Sequence, residues 1–205
     1  DPGAVGLLKI DAAAYTGNLT LDVTAAVGGF NDPANSGAPV RTVITGGTGN
    51  DTFWTSNAIG ATTVGTTTVR DVIDGGTGVN TIKTLSNIAA NANGNVADIK
   101  NIQTLELRQQ VGAQTVDFDA FDANLANVVM RDENSNAAAA TFTLNDLGAT
   151  LAGNGKLVLK HSVSETVVGT DAVVVANLKD GSGATDTVAL TVQNDLNVNT
   201  QFDYT

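Results

Sequence analysis

Alternation of apolar and polar residues runs through most of the chain and predicts many short strands. Residues 7–11 and 18–24 alternate with a period of two, which is typical of a strand with one buried face. Similar segments recur between clusters of Gly, Asn and Asp, which favour tight turns. Further strands are predicted at 40–45, 69–74, 81–84, 103–108, 114–118, 128–131, 140–144, 156–161, 166–168, 173–176 and 187–192. Short strands at this frequency predict an all-β fold.

Three segments interrupt the strand pattern. Residues 28–39 are rich in Gly, Asn and Pro and predict a loop, whereas 87–95 predict a short helix or an irregular loop. A Thr- and Gly-rich stretch at about 55–68 reads as an insertion. We therefore divide the chain into a β domain at 1–110, which contains the insertion, and a strand-repeat region at 111–205. The second region is either continuous with the first or a β-sandwich.

The composition indicates a folded chain with an aliphatic core. Apolar residues make up 42% of the 205 residues and aromatic residues only 4%, so Val, Leu, Ile and Ala must fill the interior. The absence of cysteine excludes disulfides and thiolate metal sites. No apolar run is long enough for a transmembrane helix, so we expect no membrane insertion. The chain starts at Asp1 without Met, and we expect it to be an excised piece of a longer protein.

The charge of the chain points toward cations as ligands. The formal net charge is −11 with only ten basic residues, which argues against binding to nucleic acid or to an anionic membrane surface. Carboxylate and carbonyl oxygens are the ligands of hard divalent cations. Bound Ca²⁺ would add its binding free energy to folding in a chain that lacks disulfides.

Two glycine turns carry the clearest chemical motif. Residues 46–54 read Gly-Gly-Thr-Gly-Asn-Asp-Thr-Phe-Trp and match G-G-x-G-x-D-x-U-x, the nonapeptide of calcium-binding β-rolls. Residues 75–83 match it again, with Asn where the pattern requires Asp. The preceding triplets, Val43-Ile44-Thr45 and Val72-Ile73-Asp74, also correspond. The metal ligands predicted from these turns are Gly47, Gly49, Asp51, Asp74, Gly76, Gly78 and Asn80.

The physical basis of the motif is a backbone that bends inward. Glycine adopts positive φ without a Cβ clash, which lets turn carbonyls and an Asp carboxylate form an oxygen cage. The copies start 29 residues apart, counting from 46 to 75, whereas a regular coil of two nonapeptides needs about 18. A looped-out insertion would let the two turns stack and share one ion. The alternative is a pair of glycine turns without metal.

Other acidic residues are weaker candidates for metal ligands. Residues 180–188 form a glycine turn flanked by Asp180 and Asp186, which we predict as a third calcium site, with an ordinary hairpin loop as the alternative. The cluster of Asp117, Asp119 and Asp122 is interpreted as a solvated face, and so is Asp132-Glu133.

The sequence resembles bacterial surface proteins of the repeats-in-toxin (RTX) class, especially calcium-dependent surface-layer proteins and large adhesins exported by type I secretion. The resemblance rests on the glycine turns and on Asn101-Ile102-Gln103-Thr104-Leu105-Glu106-Leu107, and it covers roughly residues 40–110. It implies a calcium-binding β-roll or β-solenoid-like stack of short strands. It also implies an extracellular location on the bacterial cell surface, where calcium orders the chain and drives lattice assembly. Each of the two glycine turns would supply half of a shared calcium site. Asn80 departs from the pattern and weakens the half-site of the second turn.

The expected function is therefore structural, with neighbouring copies or segments of the same surface protein as partners. The alternatives are a module of an adhesin that binds a ligand or a cell-surface glycan, with Trp54 stacking on sugar, and an accessory calcium region of a secreted hydrolase. We expect no enzymatic activity, because neither H-E-x-x-H nor G-x-S-x-G occurs. The single histidine, His161, is adjacent to Ser162 on a predicted strand, and adjacent strand residues face opposite sides.

Overall fold

The structure is a computed structural model of the 205-residue chain. It describes residues 6–22, 40–55, 61–64, 67–70, 72–85, 98–108, 113–121, 124–132, 141–148, 155–161, 173–179 and 189–194. Within these ranges strands predominate, and the one helical segment is a short 3-10 turn at Phe118–Ala120. None of the described segments forms a helix of the length and apolar character that crossing a membrane requires.

Sixteen strands occur in the described residues. They are β1 Gly6–Asp11, β2 Thr20–Asp22, β3 Val40–Thr45, β4 Thr52–Trp54, β5 Ala61–Val64, β6 Thr67–Arg70, β7 Val72–Asp74, β8 Thr81–Leu85, β9 Ile99–Lys100, β10 Thr104–Arg108, β11 Gln114–Asp117, β12 Asn127–Asp132, β13 Thr141–Leu147, β14 Lys156–His161, β15 Val173–Leu178 and β16 Ala189–Asn194.

Parallel pairing organises all of these strands except β5 and β6. One parallel sheet has seven strands in the order β16-β14-β12-β10-β8-β4-β2. The other parallel strands form a four-stranded sheet, β1-β3-β7-β9, and a three-stranded sheet, β11-β13-β15. In sequence, these strands alternate with the strands of the seven-stranded sheet. The chain therefore passes alternately through the seven-stranded sheet and through one of the other two, and each passage stacks on the previous one as a coil.

The register between coils is set by aligned apolar residues. In the seven-stranded sheet one inward row contains Leu21, Phe53, Ile82, Leu105, Val128, Leu157 and Leu190. In the four-stranded sheet Ile10, Ile44, Ile73 and Ile99 form the corresponding row. A one-residue slip would move each row from the core to the surface, so burial of these side chains fixes the register. Most of their interior members are at most 5% exposed.

The observed strands agree closely with the pattern of alternation. The strands predicted at 40–45 and 156–161 have the predicted bounds, and most of the others differ by up to three residues at an end. The single strand predicted at 69–74 is instead divided between β6 and β7, which belong to different sheets. The all-β fold class is confirmed, and its sheets are mainly parallel. Residues 61–64 and 67–70 pair antiparallel, and this pair overlaps the insertion predicted at about 55–68 and extends two residues beyond it. The predicted loop at 28–39, the predicted segment at 87–95 and the predicted strand at 166–168 lie outside the described residues.

The division of the chain near residue 110 stays a prediction, but one sheet passes across it. In the seven-stranded sheet, β2, β4, β8 and β10 precede that residue, and β12, β14 and β16 follow it. All seven of these strands are parallel. The coils are longer than two nonapeptides. Equivalent residues in consecutive coils are separated by 32, 29 and 23 residues at the four positions from Leu19 to Gln103. The segments that connect the strands account for the excess over a regular coil.

Two threonine hydroxyls lie in the core without a hydrogen-bond partner among the residues that the structure describes. Thr55 and Thr84 are both fully buried, and their Oγ1 atoms have no hydrogen bond within those ranges. Thr84 is in register with Leu107 on β10, and Leu107 is in register with Met130 on β12. The neighbours of Thr84 along this inward row are therefore apolar. A buried hydroxyl without a partner lowers stability, because it has lost its hydrogen bonds to water.

We therefore predict that Thr84→Val stabilises the fold by about 1 kcal/mol, because it removes an unsatisfied hydroxyl without changing the side-chain shape. The control is Thr81→Val on the outward side of the same strand, which changes strand propensity equally. Thermal unfolding of both variants measures the difference. A Thr84→Val variant that melts at or below the control would mean that the hydroxyl is satisfied in solution.

Candidate functional site

The two predicted glycine turns lie in adjacent coils and stack directly on each other. The Thr77 amide donates to the Gly47 carbonyl over 3.0 Å, and the Gly46 amide donates to the Asp74 carbonyl over 2.7 Å. A third turn, residues 12–19, lies on the other side, where the Thr48 amide donates to the Tyr15 carbonyl over 2.9 Å. The predicted stacking of the two motifs is thus confirmed, and the sequence reasoning missed the third turn.

Glycine is required where the turns touch. Gly76 and Gly78 have φ angles of +77° and +98°, a conformation that side chains with a Cβ rarely adopt. A Cβ at Gly76 would lie 2.2 Å from the Gly47 carbonyl oxygen, and one at Gly78 would lie 2.3 Å from that of Gly49. The close approach of two backbones therefore excludes larger residues at both positions. Gly47 and Gly49 meet the preceding turn in the same way, at Tyr15 and Gly17.

A ladder of inward polar side chains connects the coils beside these turns. Asp51 accepts from the Leu19 amide over 2.9 Å, and Asn80 accepts from the Asp51 amide over 2.9 Å. Gln103 continues the series by accepting from the Asn80 amide over 2.7 Å. We call Asp51, Asn80 and Gln103 the inner ladder. Each side chain satisfies a backbone donor of the preceding coil at the position before the strand begins.

Asp51 and Asn80 occupy equivalent positions but meet different partners. The Asn80 Nδ2 group donates to the Asn101 carbonyl over 2.9 Å. The equivalent oxygen, Asp51 Oδ2, accepts from the Gly47 amide over 2.8 Å. Asp51 Oδ2 and the Gly75 carbonyl oxygen both approach within 2.7 Å of the point that a Cβ on Gly46 would occupy. At Asp51 two acceptors therefore face one space, whereas at Asn80 a donor faces an acceptor.

Asp51 is a buried carboxyl group whose described hydrogen-bond partners are neutral. The residue is fully buried, and its two described hydrogen bonds come from the backbone amides of Leu19 and Gly47. Burial of a charge is costly unless an opposite charge or several hydrogen bonds compensate it. An ionised carboxylate has about four acceptor sites, so both oxygens keep lone pairs for a further ligand. The environment of Asp51 thus favours a cation more than that of Asn80 does.

A second, exposed ladder runs beside the first. Asn18 accepts from the Asn50 amide over 2.9 Å, and Asn50 accepts from the Val79 amide over 2.8 Å. Adjacent backbone amides point in opposite directions along the stack, so the two ladders run in opposite senses. A sequence signal for the inner ladder does exist. The triplets Asp51-Thr52-Phe53, Asn80-Thr81-Ile82 and Gln103-Thr104-Leu105 share the order polar, Thr, apolar.

Asp74 lies immediately before the second glycine turn and accepts hydrogen bonds from within that turn and from beyond it in sequence. Its Oδ1 accepts from Asn101 Nδ2 over 2.7 Å and from the Gly76 amide over 3.0 Å, and its Oδ2 lies 3.0 Å from Lys100 Nζ. Burial raises the pKa of this carboxyl, but the combined hydrogen bonds and the Lys100 charge outweigh burial and lower the pKa below its ordinary value. Asp74 therefore already has a cationic partner.

Three carboxylates form the acidic cluster: two lie on strands of the three-stranded sheet and one lies in the 3-10 turn that follows β11. Asp117, Asp119 and Asp146 present oxygens within 4.8 Å of one another, and these groups could hold a metal ion. Asp146 adopts a φ of +56° at a register irregularity between Leu144 and Leu147, which brings it beside the other two. Sequence reasoning placed Asp117 and Asp119 on a solvated face and did not include Asp146. Nothing in the local pattern indicated the irregularity.

Lys179 supplies a positive charge to this cluster. Its Nζ lies 2.5 Å from Asp119 Oδ1, and the hydrogen bond with Asp119 is the main reason that the pKa of Lys179 is raised. Burial opposes this shift, and the charges of the three carboxylates add to it. A metal ion at the acidic cluster would therefore compete with the Lys179 ammonium group.

Two other predicted sites have different outcomes. Asp180 and Asp186 lie outside the described residues. Trp54, proposed as a sugar-stacking residue, has the Arg108 guanidinium 4.4 Å from its ring centroid. A cation–π contact of this kind uses one face of the ring. Trp54 is therefore engaged within the sheet rather than presented with both faces open.

The inner ladder predicts unequal effects of two substitutions at Asp51, measured in EDTA. Asp51→Ala removes the acceptor for the Leu19 amide and should unfold with about 1–3 kcal/mol less stability than Asp51→Asn, which retains an acceptor. Asn50→Ala, in the exposed ladder, should cost less because water can replace its hydrogen bonds. Urea unfolding compares the three variants. Equal stability of the two Asp51 variants would contradict a hydrogen-bonding role for this side chain.

The Asp74 contacts predict a specific loss of stability in acid. Since the folded pKa lies below the ordinary value of 3.8, the contribution of this carboxylate is complete above that value and disappears as pH falls through the folded pKa. Asp74→Asn should therefore make the acid limb of the stability profile less steep. Asp11→Asn is the matched control, because its pair with Lys9 is exposed. Indistinguishable acid limbs for wild type and Asp74→Asn would refute the assignment.

Comparison with known proteins found no match for this chain. Neither protein-family models, nor curated proteins, nor solved structures gave a significant similarity. We therefore infer its function from the contacts, burial and charge of the residues described above.

Proposed function

We propose that this chain is a structural, calcium-binding segment of a secreted bacterial surface protein of the RTX class. In this proposal the stacked coils form a β-roll, and the parent protein assembles on the cell surface with calcium, as surface-layer proteins do. Export by type I secretion and an extracellular location belong to the same proposal. The chain acts as a scaffold and carries out no catalysis.

The observation that carries the proposal is the environment of Asp51. A fully buried carboxylate with neutral donors, which faces the same space as a carbonyl oxygen, offers a hard cation the oxygen ligands that it prefers. Calcium accepts six to eight oxygen ligands in irregular geometries, which suits a turn of glycine carbonyls. At Asn80 the amide already donates to a carbonyl, so we expect that half-site to contribute less.

The acidic cluster offers a second position for calcium. Its three carboxylates supply the oxygen ligands that calcium prefers, but they are mainly exposed and Asp119 already contacts Lys179. We expect this position to bind more weakly than the turn at Asp51, since the ion must displace an ammonium group and meets more water. The two positions are distinguishable by substitution.

The coil stack supports a role in assembly. Among the described strands, β2 and β16 have a neighbour on one side only within the seven-stranded sheet. Leu190 on β16 is 53% exposed, although it occupies the inward apolar row. Strands with free backbone groups and apolar residues favour pairing with further coils, either of the same protein or of a neighbouring copy.

Calcium should raise the melting temperature relative to EDTA, and magnesium should substitute poorly because it requires tighter octahedral geometry. Asp51→Asn should remove most of this shift, and Asn80→Ala should remove less. Asn80→Asp should do the opposite of Asp51→Asn. The Asn80→Asp variant loses the hydrogen bond from Asn80 Nδ2 to the Asn101 carbonyl, so it should be less stable than the wild type in EDTA. Because it completes the motif, calcium should raise its melting temperature by more than that of the wild type. Thermal unfolding and calcium titration by calorimetry measure these effects.

The control for the turn site is Asp117→Asn/Asp119→Asn, which removes two carboxylates from the acidic cluster. This variant should keep the calcium-dependent rise in melting temperature and lose a weak binding event in calorimetry. If it abolished the rise while Asp51→Asn did not, calcium would act at the surface. Identical melting curves in calcium and EDTA for the wild type would refute calcium binding altogether.

Assembly is tested on the full-length parent protein by electron microscopy with and without calcium. We expect ordered sheets or lattices with calcium and dispersed particles in EDTA, because calcium lets like-charged acidic surfaces approach. Dispersed particles in both conditions would refute the surface-layer role. Dispersed particles that nevertheless bind a glycan or a host surface would favour an adhesin.

A further inference from the structure

Half of the basic residues in this acidic chain lie on one surface. Lysine and arginine total ten, and five of them occupy outward positions on four consecutive strands of the seven-stranded sheet, β8, β10, β12 and β14. We call Lys83, Arg108, Arg131, Lys156 and Lys160 the basic face. Each alternates along its strand with residues that face the core, so all five side chains lie on the same outer side.

Three of these cationic residues lie directly opposite one another on neighbouring strands. Arg108 is in register with Arg131, and Arg131 is in register with Lys160. Neighbouring strands are about 4.8 Å apart, so positive charges repeat along the stack at that spacing. Like charges directly opposite each other destabilise a sheet. Folding therefore bears a cost here, which the ion pair of Arg131 with Glu106 offsets in part and a negatively charged ligand would lower further.

One carboxylate is present among the described outward side chains of these four strands. Glu106 lies 3.5 Å from Lys83 Nζ and 3.3 Å from Arg131 Nε, and its side chain is only 11% exposed. It orders the two cations beside it. Trp54 similarly holds the Arg108 guanidinium over its ring. The basic face is thus held in place by neighbouring side chains, which lowers the entropy that a ligand must remove.

We propose that the basic face binds a linear acidic polysaccharide with one carboxylate on each sugar residue, that is, a polyuronate. A polymer of uronic acids lying across the strands would bring several carboxylates within reach of the row formed by Arg108, Arg131 and Lys160. Arginine binds carboxylates through two parallel hydrogen bonds, and lysine adds point charges. The remaining acidity of the chain does not prevent this, because charges beyond about 8 Å are largely screened at physiological salt.

This inference concerns a different surface from the turn at Asp51 and does not depend on calcium. Its test uses the 205-residue chain in EDTA, which also prevents calcium from crosslinking the polymer. Sodium polygalacturonate is the probe, its fully methyl-esterified form is the uncharged control with the same backbone, and dextran sulfate replaces carboxylate with sulfate. Calorimetry or biolayer interferometry gives the affinity at several salt concentrations.

Lys156→Gln/Lys160→Gln is the test variant, because neither lysine contacts Glu106 in the described ion pairs. We expect polygalacturonate affinity to fall about tenfold and its salt dependence to become shallower, since fewer counterions are released. Lys156→Arg/Lys160→Arg should restore binding. Lys9→Gln/Lys179→Gln is the matched control, which removes the same charge from exposed lysines outside the seven-stranded sheet.

Several results would overturn the proposal. Equal losses in the test and control variants would mean that binding follows net charge rather than the basic face. Binding of the methyl ester would exclude carboxylate recognition, and tighter binding of dextran sulfate would mean that the face recognises charge density. Self-association that is seen by light scattering, lost in the test variant and accompanied by no polymer binding would identify a second copy as the occupant.

Discussion

Direct contact between the backbones of consecutive turns sets the geometry on which the rest of this structure depends. Gly76 and Gly78 lie so close to the carbonyls of Gly47 and Gly49 that a single Cβ would separate the coils. Because the turns touch, the strands that follow them start level with one another. Parallel pairing from β4 to β8 then places Phe53 against Ile82. Stacking of the turns and burial of the core therefore favour the same register.

This close stacking also explains why the polar residues beside the turns are buried. Each turn removes backbone amides from water, and these donors need acceptors within the protein. Asp51, Asn80 and Gln103 supply them from one coil to the next. A carboxylate and two amides can all fill this role, but only the carboxylate leaves a charge behind. The same ladder that satisfies the backbone therefore creates, at Asp51, the strongest reason for a cation.

Charge is distributed unevenly over the stacked coils. The acidic cluster lies at the three-stranded sheet and the 3-10 turn that follows β11, and the basic face lies on the outer side of the seven-stranded sheet. A stack of coils makes such segregation easy, because one position in each coil repeats along a row. A short series of similar residues in sequence-distant coils becomes a continuous charged surface. Scaffold and binding surface can thus be parts of the same repeating structure.

The sequence by itself determined the all-β class, most strand positions and the correspondence of the two glycine turns. These features depend on local alternation and on glycine, which act over a few residues. It did not reveal that the inner ladder extends to Gln103, although the order polar, Thr, apolar at 103–105 repeats that at 51–53 and 80–82. Only the tertiary structure brought Asp146 to Asp117 and Asp119, and Arg131 into line with Arg108 and Lys160. Those proximities follow from the pairing of coils of unequal length, whose register is decided by burial of the core and not by any spacing that the sequence displays.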